Sequence, residues 1–216
     1  MRRGTGDHVL ETIAFYDQAA ERLAARWADR TVMRSHLDRF AGLLPPAGLV
    51  VDLGCGPGHD CEELIARGLR VVGVDFALAM LRIGHARYPA ADFVRQDLRR
   101  LAVHSKSLDG VWACASLIHV PRRQIRSVLG EIGRVLKPGG VLFTSMQGGS
   151  GQALIQGQDE EYGTEMRRLY VYYRPDRWYS LLEEAGFALL HAQLDSGAES
   201  LNPGGVCWIA SFARRL

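Results

Sequence analysis

The chain has 216 residues, 47% of them hydrophobic and 23% charged, with a formal net charge of +2. That length suits one full α/β domain and is short for two, and the composition is that of an ordinary soluble globular protein. The near-balanced charge, with no dense Lys/Arg run, makes no case for a nucleic-acid partner, and no apolar run is long enough for a membrane span.

The first residues, MRRGTGDHVLETIAF, hold two arginines but no apolar core, so no secretory signal is expected. Cys55, Cys61, Cys114 and Cys207 are scattered without zinc-type spacing. A reduced, cytoplasmic protein without a metal site fits that usage. Val9, Ile13, Tyr16, Ala20, Leu23 and Trp27 recur at helical spacing and predict one amphipathic helix over 8–30. A second helix is expected from about Val32 to Leu44, stopped by Pro45-Pro46. Gly48 to Leu53 reads as a short buried strand, and the loop after it enters a helix closed by Gly68.

The rhythm then repeats. LRVVGVD is strand, Ala77 to Arg87 helix, ADFVRQD strand and LDGVWACASL strand. A helix from about Arg122 to Leu136 ends at KPGG, and VLFTSMQ is the next strand. Short Val/Leu/Phe strands alternating with helices predict a doubly wound, mostly parallel sheet. Residues 148–174 break the pattern, being glycine-rich, then acidic, then basic and aromatic, and too long for an ordinary connection. A helix opened by Pro175 and closed by Gly186 follows, then ALLHAQLD and CWIASFARR, joined through NPGG as an antiparallel pair. The expected organisation is a single domain: a helical cover over 1–45, a core over 46–147, an insert over 148–174, and a helix with hairpin over 175–216.

The stretch VVDLGCGPGHD, residues 50–60, carries the chemistry. A glycine loop after a first strand is shared by several nucleotide-binding families and is a weak signal alone. Asp75, at the end of the next strand, is placed to accept hydrogen bonds from two ribose hydroxyls. Asp52 separates the candidates. It would repel a dinucleotide's pyrophosphate by roughly 1–4 kcal/mol at 4 Å. S-adenosylmethionine instead brings an α-ammonium and a sulfonium, both positive, and no phosphate. The plainer role for Asp52 is capping neighbouring amides; Asp97 equally suits capping the turn after its strand. Asp60 reads as a favourable charge in a helix's first turn, and Asp109 as a turn residue before its strand.

Four motifs in order resemble the class I S-adenosylmethionine-dependent methyltransferases: VVDLGCGPG, VVGVD, DFVRQDL and RVLKPGG. The resemblance runs from about Tyr16 to the C-terminus and implies a seven-stranded Rossmann-like sheet whose last strand is antiparallel. It implies that Gly54, Cys55, Gly56 and Gly58 line the methionine and ribose portion, with Asp52 beneath the loop. Asp75 would hold the ribose hydroxyls, Phe76 would lie against the adenine, and Asp97 with Leu98 would meet its amino group. Ala113 and Cys114 would contact the sulfonium side, and Tyr16, in AFYDQAA, would close over the cofactor.

Methyl transfer is an in-line displacement that depends first on placement and exclusion of water. His119, in SLIHVP just past the fourth strand, is the candidate general base, with a packing role as the alternative. The 148–174 insert is the candidate substrate cover. Its Arg167, Arg168, Tyr170, Tyr172, Tyr173 and Arg174 suit a carboxylate-bearing or aromatic acceptor; a solvated amphipathic helix is the plainer reading. ACASLIHV lacks the Asn/Asp-Pro-Pro-aromatic motif of exocyclic-nitrogen methylation, and neither paired catalytic cysteines nor a carboxylate metal set is evident. A small-molecule methyl acceptor is therefore expected. RNA or protein methylation, a non-catalytic S-adenosylmethionine-binding regulator, and a nicotinamide-dependent oxidoreductase are the alternatives. The oxidoreductase is disfavoured by Asp52 and by the missing G-x-G-x-x-G spacing.

Overall fold

In the computed structural model, residues 7–159, 164–195 and 207–216 are described. The N-terminal region is made of α1 (Asp7–Gln18), α2 (Ala20–Arg26), a 3-10 turn (Thr31–Met33) and α3 (Arg34–Gly42). The single helix expected over 8–30 is thus two, divided at Ala19 (φ −91°, ψ 4°). Buried Phe15, Ala20, Leu23 and Ala24 pack as one small cluster with Met80 and Ile83. The break lets both short helices lie on the same neighbour.

The core follows as β1 (Leu49–Leu53), α4 (His59–Ala66), β2 (Arg70–Asp75), α5 (Leu78–Arg87), β3 (Asp92–Arg95), β4 (Leu108–Cys114), α6 (Ile125–Val135) and β5 (Leu136–Gln147). Gly68, at φ +82°, takes the left-handed position after α4, as its place in the sequence predicts. α6 buries Ile125, Val128, Leu129 and Ile132 at helical spacing, the stripe that docks it on the sheet. Asp109 lies inside β4, where its carboxylate accepts the Leu49 N–H (2.9 Å) and Lys137 Nζ (2.7 Å).

Among the described residues of 148–174 there is no helix. They form an antiparallel hairpin of β6 (Gln152–Asp159) and β7 (Thr164–Val171), paired from Gln152↔Val171 to Asp159↔Thr164. Period-two alternation sends Leu169 and Val171 into the main core, while Arg168 and Tyr170 line the cavity described below. Residues 160–163, within the predicted insert, and the NPGG turn lie outside the described residues. The chain ends with α7 (Pro175–Glu184), β8 (Phe187–Asp195) and β9 (Trp208–Arg215).

Among the described residues, seven strands make one sheet in the order β3-β2-β1-β4-β5-β9-β8. β9 runs antiparallel to both of its neighbours, and the other pairings are parallel. The strand order reverses between β1 and β4, which opens a crevice at their C-terminal ends. No described helix is long and apolar enough to cross a membrane.

Candidate functional site

The C-terminal ends of β1, β2, β3 and β4 face one cavity of about 430 Å³. Its floor is the glycine loop after β1. Gly54 sits at φ +77°, and a Cβ there would fall 2.3 Å from Ser116 Cβ. The N–H groups of Gly54 and Cys55 both donate to the Val74 carbonyl (2.7 and 3.1 Å), which anchors the loop to β2. Gly56, at φ +53°, faces open space, because a Cβ there would meet only Trp27, at 3.8 Å. The result is a backbone-lined cradle.

Three carboxylates surround that cradle. Asp52 is 2% exposed, and its Oδ2 accepts the Cys61 S–H at 3.3 Å. Burial, and then the nearby Asp60 charge, hold the Asp52 carboxyl well above the usual range. Asp75 accepts the Gly56 N–H on Oδ2 (2.9 Å) and the Ala77 N–H on Oδ1 (2.8 Å), leaving a second lone pair on each oxygen. Burial raises its pKa despite those two donors. Asp97 accepts the Arg99 main-chain N–H at 2.9 Å and its guanidinium at 2.6 Å. Burial opposes its charge, but Arg99 outweighs this and keeps the carboxyl below its usual value. Asp97 therefore caps its turn and lines the cavity at once.

Tyr16, Asp52, Gly54, Cys55 and Gly56 line this cavity, as do Asp75, Phe76, Asp97, Leu98 and Cys114. Two expected residues do not. Gly58 packs away from it, with the Phe93 ring 2.6 Å from where a Cβ would lie. Ala113 is fully buried in the main core, one residue short of the strand end that reaches the cavity. Cys55 and Cys114 are held as thiols by burial, Cys55 pushed up to about 12.

The far wall comes from residues with no sequence motif. Arg30, after α2, forks onto Asp60 at 2.6 and 2.7 Å, and Trp112 Nε1 donates to the same carboxylate at 2.9 Å. Asp60 does stand in the first turn of α4, but it is 7% exposed and ties the helical cover to the core. Burial opposes the Arg30 charge, and the Asp60 carboxylate more than restores it. Ala115, at φ +52°, bends the chain so that Ser116 passes over Gly54. Gln147 and Trp208, on β5 and β9, complete this end.

His119 and the hairpin meet there. His119 Nδ1 lies 2.6 Å from the Leu169 carbonyl, so that nitrogen carries the proton and donates. Nε2 then accepts the Tyr16 O–H at 2.7 Å. Burial pushes the imidazole down to about 4, so it is neutral at physiological pH with both nitrogens engaged. Arg168 stacks over Phe15 (4.0 Å) and Tyr170 (5.3 Å) and hydrogen-bonds the Tyr16 hydroxyl. The other expected substrate contacts lie elsewhere. Arg167 pairs with Glu11 at 2.6 Å, and exposed Arg174 with Asp176 at 3.0 Å. Tyr173 is 1% exposed in the core under Arg122, and Tyr172 stacks on Tyr170 outside the cavity.

Residues 50–140 match a family model described as a methyltransferase domain. Trans-aconitate 2-methyltransferase of Paracidovorax citrulli is 42% identical over 106 residues, 48% of this chain and 40% of that protein. Demethylmenaquinone methyltransferase of Renibacterium salmoninarum is 37% identical over 100 residues, 46% of this chain and 41% of that one. The chain thus spans about two fifths of the length of the curated relatives it matches. Burkholderia thailandensis 1,6-didemethyltoxoflavin-N1-methyltransferase, solved with 1,6-didemethyltoxoflavin and S-adenosylhomocysteine, shares the fold with a TM-score of 0.77 at 19% identity. That superposition covers 100% of this chain and 92% of that one. All four sequence motifs fall inside the matched stretch, and the sheet has the fold of solved S-adenosylmethionine-dependent methyltransferases, the family the chain resembles.

Proposed function

We propose that this chain moves the methyl group of S-adenosylmethionine to a small-molecule acceptor held between the sheet ends and the β6–β7 hairpin. One observation carries the reading: a single cavity joins an acidic, glycine-floored end to an end lined by His119, Arg168, Tyr170 and Trp208. The open cradle at Gly56 and the ring of Asp52, Asp75 and Asp97 fit a phosphate-free ligand that carries an ammonium and is rich in hydroxyl and amine donors. Bound there, S-adenosylmethionine supplies an electrophilic methyl group on a sulfonium.

The chain's own part is binding and placement. Gly54, Cys55 and Gly56 receive the methionine and ribose portion, and Gly58 shapes the loop from behind. Asp75 takes ribose hydroxyls on its remaining lone pairs, Phe76 lies along the adenine, and Asp97 with Leu98 meets the adenine amine. Asp52 stands on the ammonium side and Cys114 toward the sulfur. Tyr16 closes the site from α1, and His119 acts on Tyr16 as a positioning residue, since both ring nitrogens are already engaged. The relatives named for trans-aconitate and demethylmenaquinone act on small molecules, which supports a small acceptor here.

The test uses S-adenosylmethionine with a deuterated methyl group, the purified protein and a cell extract, read by mass spectrometry. Label in a small metabolite is expected. Label confined to RNA or protein would overturn the small-molecule reading, and no transfer with S-adenosylhomocysteine still bound would identify a cofactor-binding regulator.

A further inference from the structure

One polar side chain on the cavity wall plays no part in tying the fold together. Gln147 is the last residue of β5, and its main chain is used: it registers with Trp208 of β9, and its carbonyl accepts the Tyr173 N–H at 3.1 Å. Its carboxamide is not used. Gln147 is 6% exposed, yet among the described residues its side chain makes no hydrogen bond. Gln147 lines the cavity, so the little surface it keeps opens there. An amide enclosed in this way and left without a partner is costly, and a ligand that pairs with it removes that cost.

The register places this group near the transfer step. Ser145 of β5 registers with Cys114 of β4, and Cys114 lines the cavity on the side assigned above to the sulfur. Residues two apart along a strand share a face, so Gln147 stands on the Ser145 face, roughly 6.6 Å further along. That step carries it beyond the level of Cys114, to the side from which an acceptor approaches.

A carboxamide offers one carbonyl acceptor and one NH2 donor and carries no charge. An ammonium only donates and a carboxylate only accepts, so either leaves half of the carboxamide unmet. A hydroxyl or an amide both donates and accepts, and it meets both halves.

Resting on the methyltransferase reading above, we propose that Gln147 is a specificity-determining residue, whose carboxamide holds a hydroxyl or amide group carried by the acceptor beside the atom that receives the methyl. Gln147 takes no part in the bond change, since a carboxamide neither gives nor takes a proton at neutral pH. Its work is placement of the acceptor for in-line attack. It also rejects analogues that lack the polar group, because their binding strands the carboxamide in a dry site.

Two measurements test this. The first needs no acceptor. S-adenosylhomocysteine is titrated calorimetrically into the wild-type protein and into Gln147→Met, which keeps the length of the side chain without its amide. Should Gln147→Met lower Tm, Gln147→Glu, which has the same shape but no NH2 donor, replaces it. Cofactor affinity is expected to change less than ~10-fold; a larger loss assigns Gln147 to the cofactor and overturns the proposal.

In the second, the small metabolite labelled from methyl-deuterated S-adenosylmethionine is identified and used as the acceptor. It is expected to carry a hydroxyl or amide beside the methylated atom, and a product without one overturns the proposal. Both variants are expected to lower kcat/KM for it ~10-fold or more. An analogue lacking the polar group should lose as much with the wild-type protein and nothing further with Gln147→Met. A smaller loss in the variants, or an equal penalty for the analogue in both proteins, overturns the role of Gln147 and leaves the methyltransferase reading intact. Absence of label from every small metabolite overturns the small-molecule reading and the proposal with it.

Discussion

At the scale of single residues, two buried titratable groups give opposite pH signatures. Asp52 has its carboxyl raised by burial and by Asp60, so the free protein holds that proton to higher pH than an exposed carboxyl would. A cationic amino group arriving beside it favours the carboxylate and lowers that pKa. Binding of S-adenosylhomocysteine therefore releases a proton within that window, and affinity rises with pH. Calorimetry in two buffers of different ionisation enthalpy measures the proton directly; identical heats would place Asp52 away from the ammonium. In the ligand-free protein the sign of the stability effect is the reverse of the usual carboxylate. The contribution is present below the ordinary carboxyl pKa and is lost as pH rises through the raised value. Asp52→Asn should flatten that loss in Tm while weakening cofactor binding.

His119 behaves differently. Its imidazole is pushed down to about 4 by burial, so the unfolded chain takes up the proton first. Stability is expected to fall as pH drops from about 6.5 toward 4, and turnover should show no inflection near 6.5 that His119→Gln removes. A rate profile with such an inflection, lost in His119→Gln, would return the residue to a general-base role.

At the scale of elements, the loop after β1 and the hairpin show what could be read in advance. The loop was legible because its glycines follow a strand that is apolar but for Asp52, and its geometry explains each one separately. Gly54→Ala would force a Cβ against Ser116 in a left-handed conformation, a clash that neither backbone can relieve cheaply. The expected outcome is a loss of several degrees in Tm and of cofactor affinity together; an unaltered Tm would show that β4's end yields. The hairpin was not legible. GQALIQGQ interleaves polar residues and glycine without a clean period of two, and its partner strand begins after an acidic stretch. Pairing with β7, and burial of Leu169 and Val171 against the main core, supply what the local pattern lacks. The helix-versus-cover choice drawn from composition was therefore put to a segment whose structure is fixed by long-range contact. Arg168 and Tyr170 reach the cavity from one face of β7 and Arg167 does not, while Tyr172, Tyr173 and Arg174 lie past the strand's end and outside the cavity.

At the scale of the whole molecule, alternation of short apolar strands with helices foretold the doubly wound sheet, because buried parallel strands need no polar face. The acidic residues at β1 and β2 were found for the same reason: each interrupts an apolar run at its C-terminal end. The other half of the cavity is assembled across the chain. Arg30 reaches Asp60 from 30 residues away, and Tyr16 reaches His119 from 103. Trp208 enters beside Gln147 only because β9 runs antiparallel to β5. No local spacing records these meetings, so Asp60 was read as a helix charge and Trp208 as a strand residue. Ala113 illustrates the finest limit, since one residue along β4 separates a core position from the cavity lining at Cys114.

The chemistry of this cavity fits a phosphate-free nucleoside ligand that bears an ammonium group. Calorimetric titration of the purified protein with S-adenosylhomocysteine and, separately, with NAD tests it most directly. One-to-one binding of S-adenosylhomocysteine is expected, weakened ~10-fold or more in Asp75→Ala by loss of the hydroxyl hydrogen bonds, with no heat from NAD. Binding of NAD with no response to S-adenosylhomocysteine would contradict it.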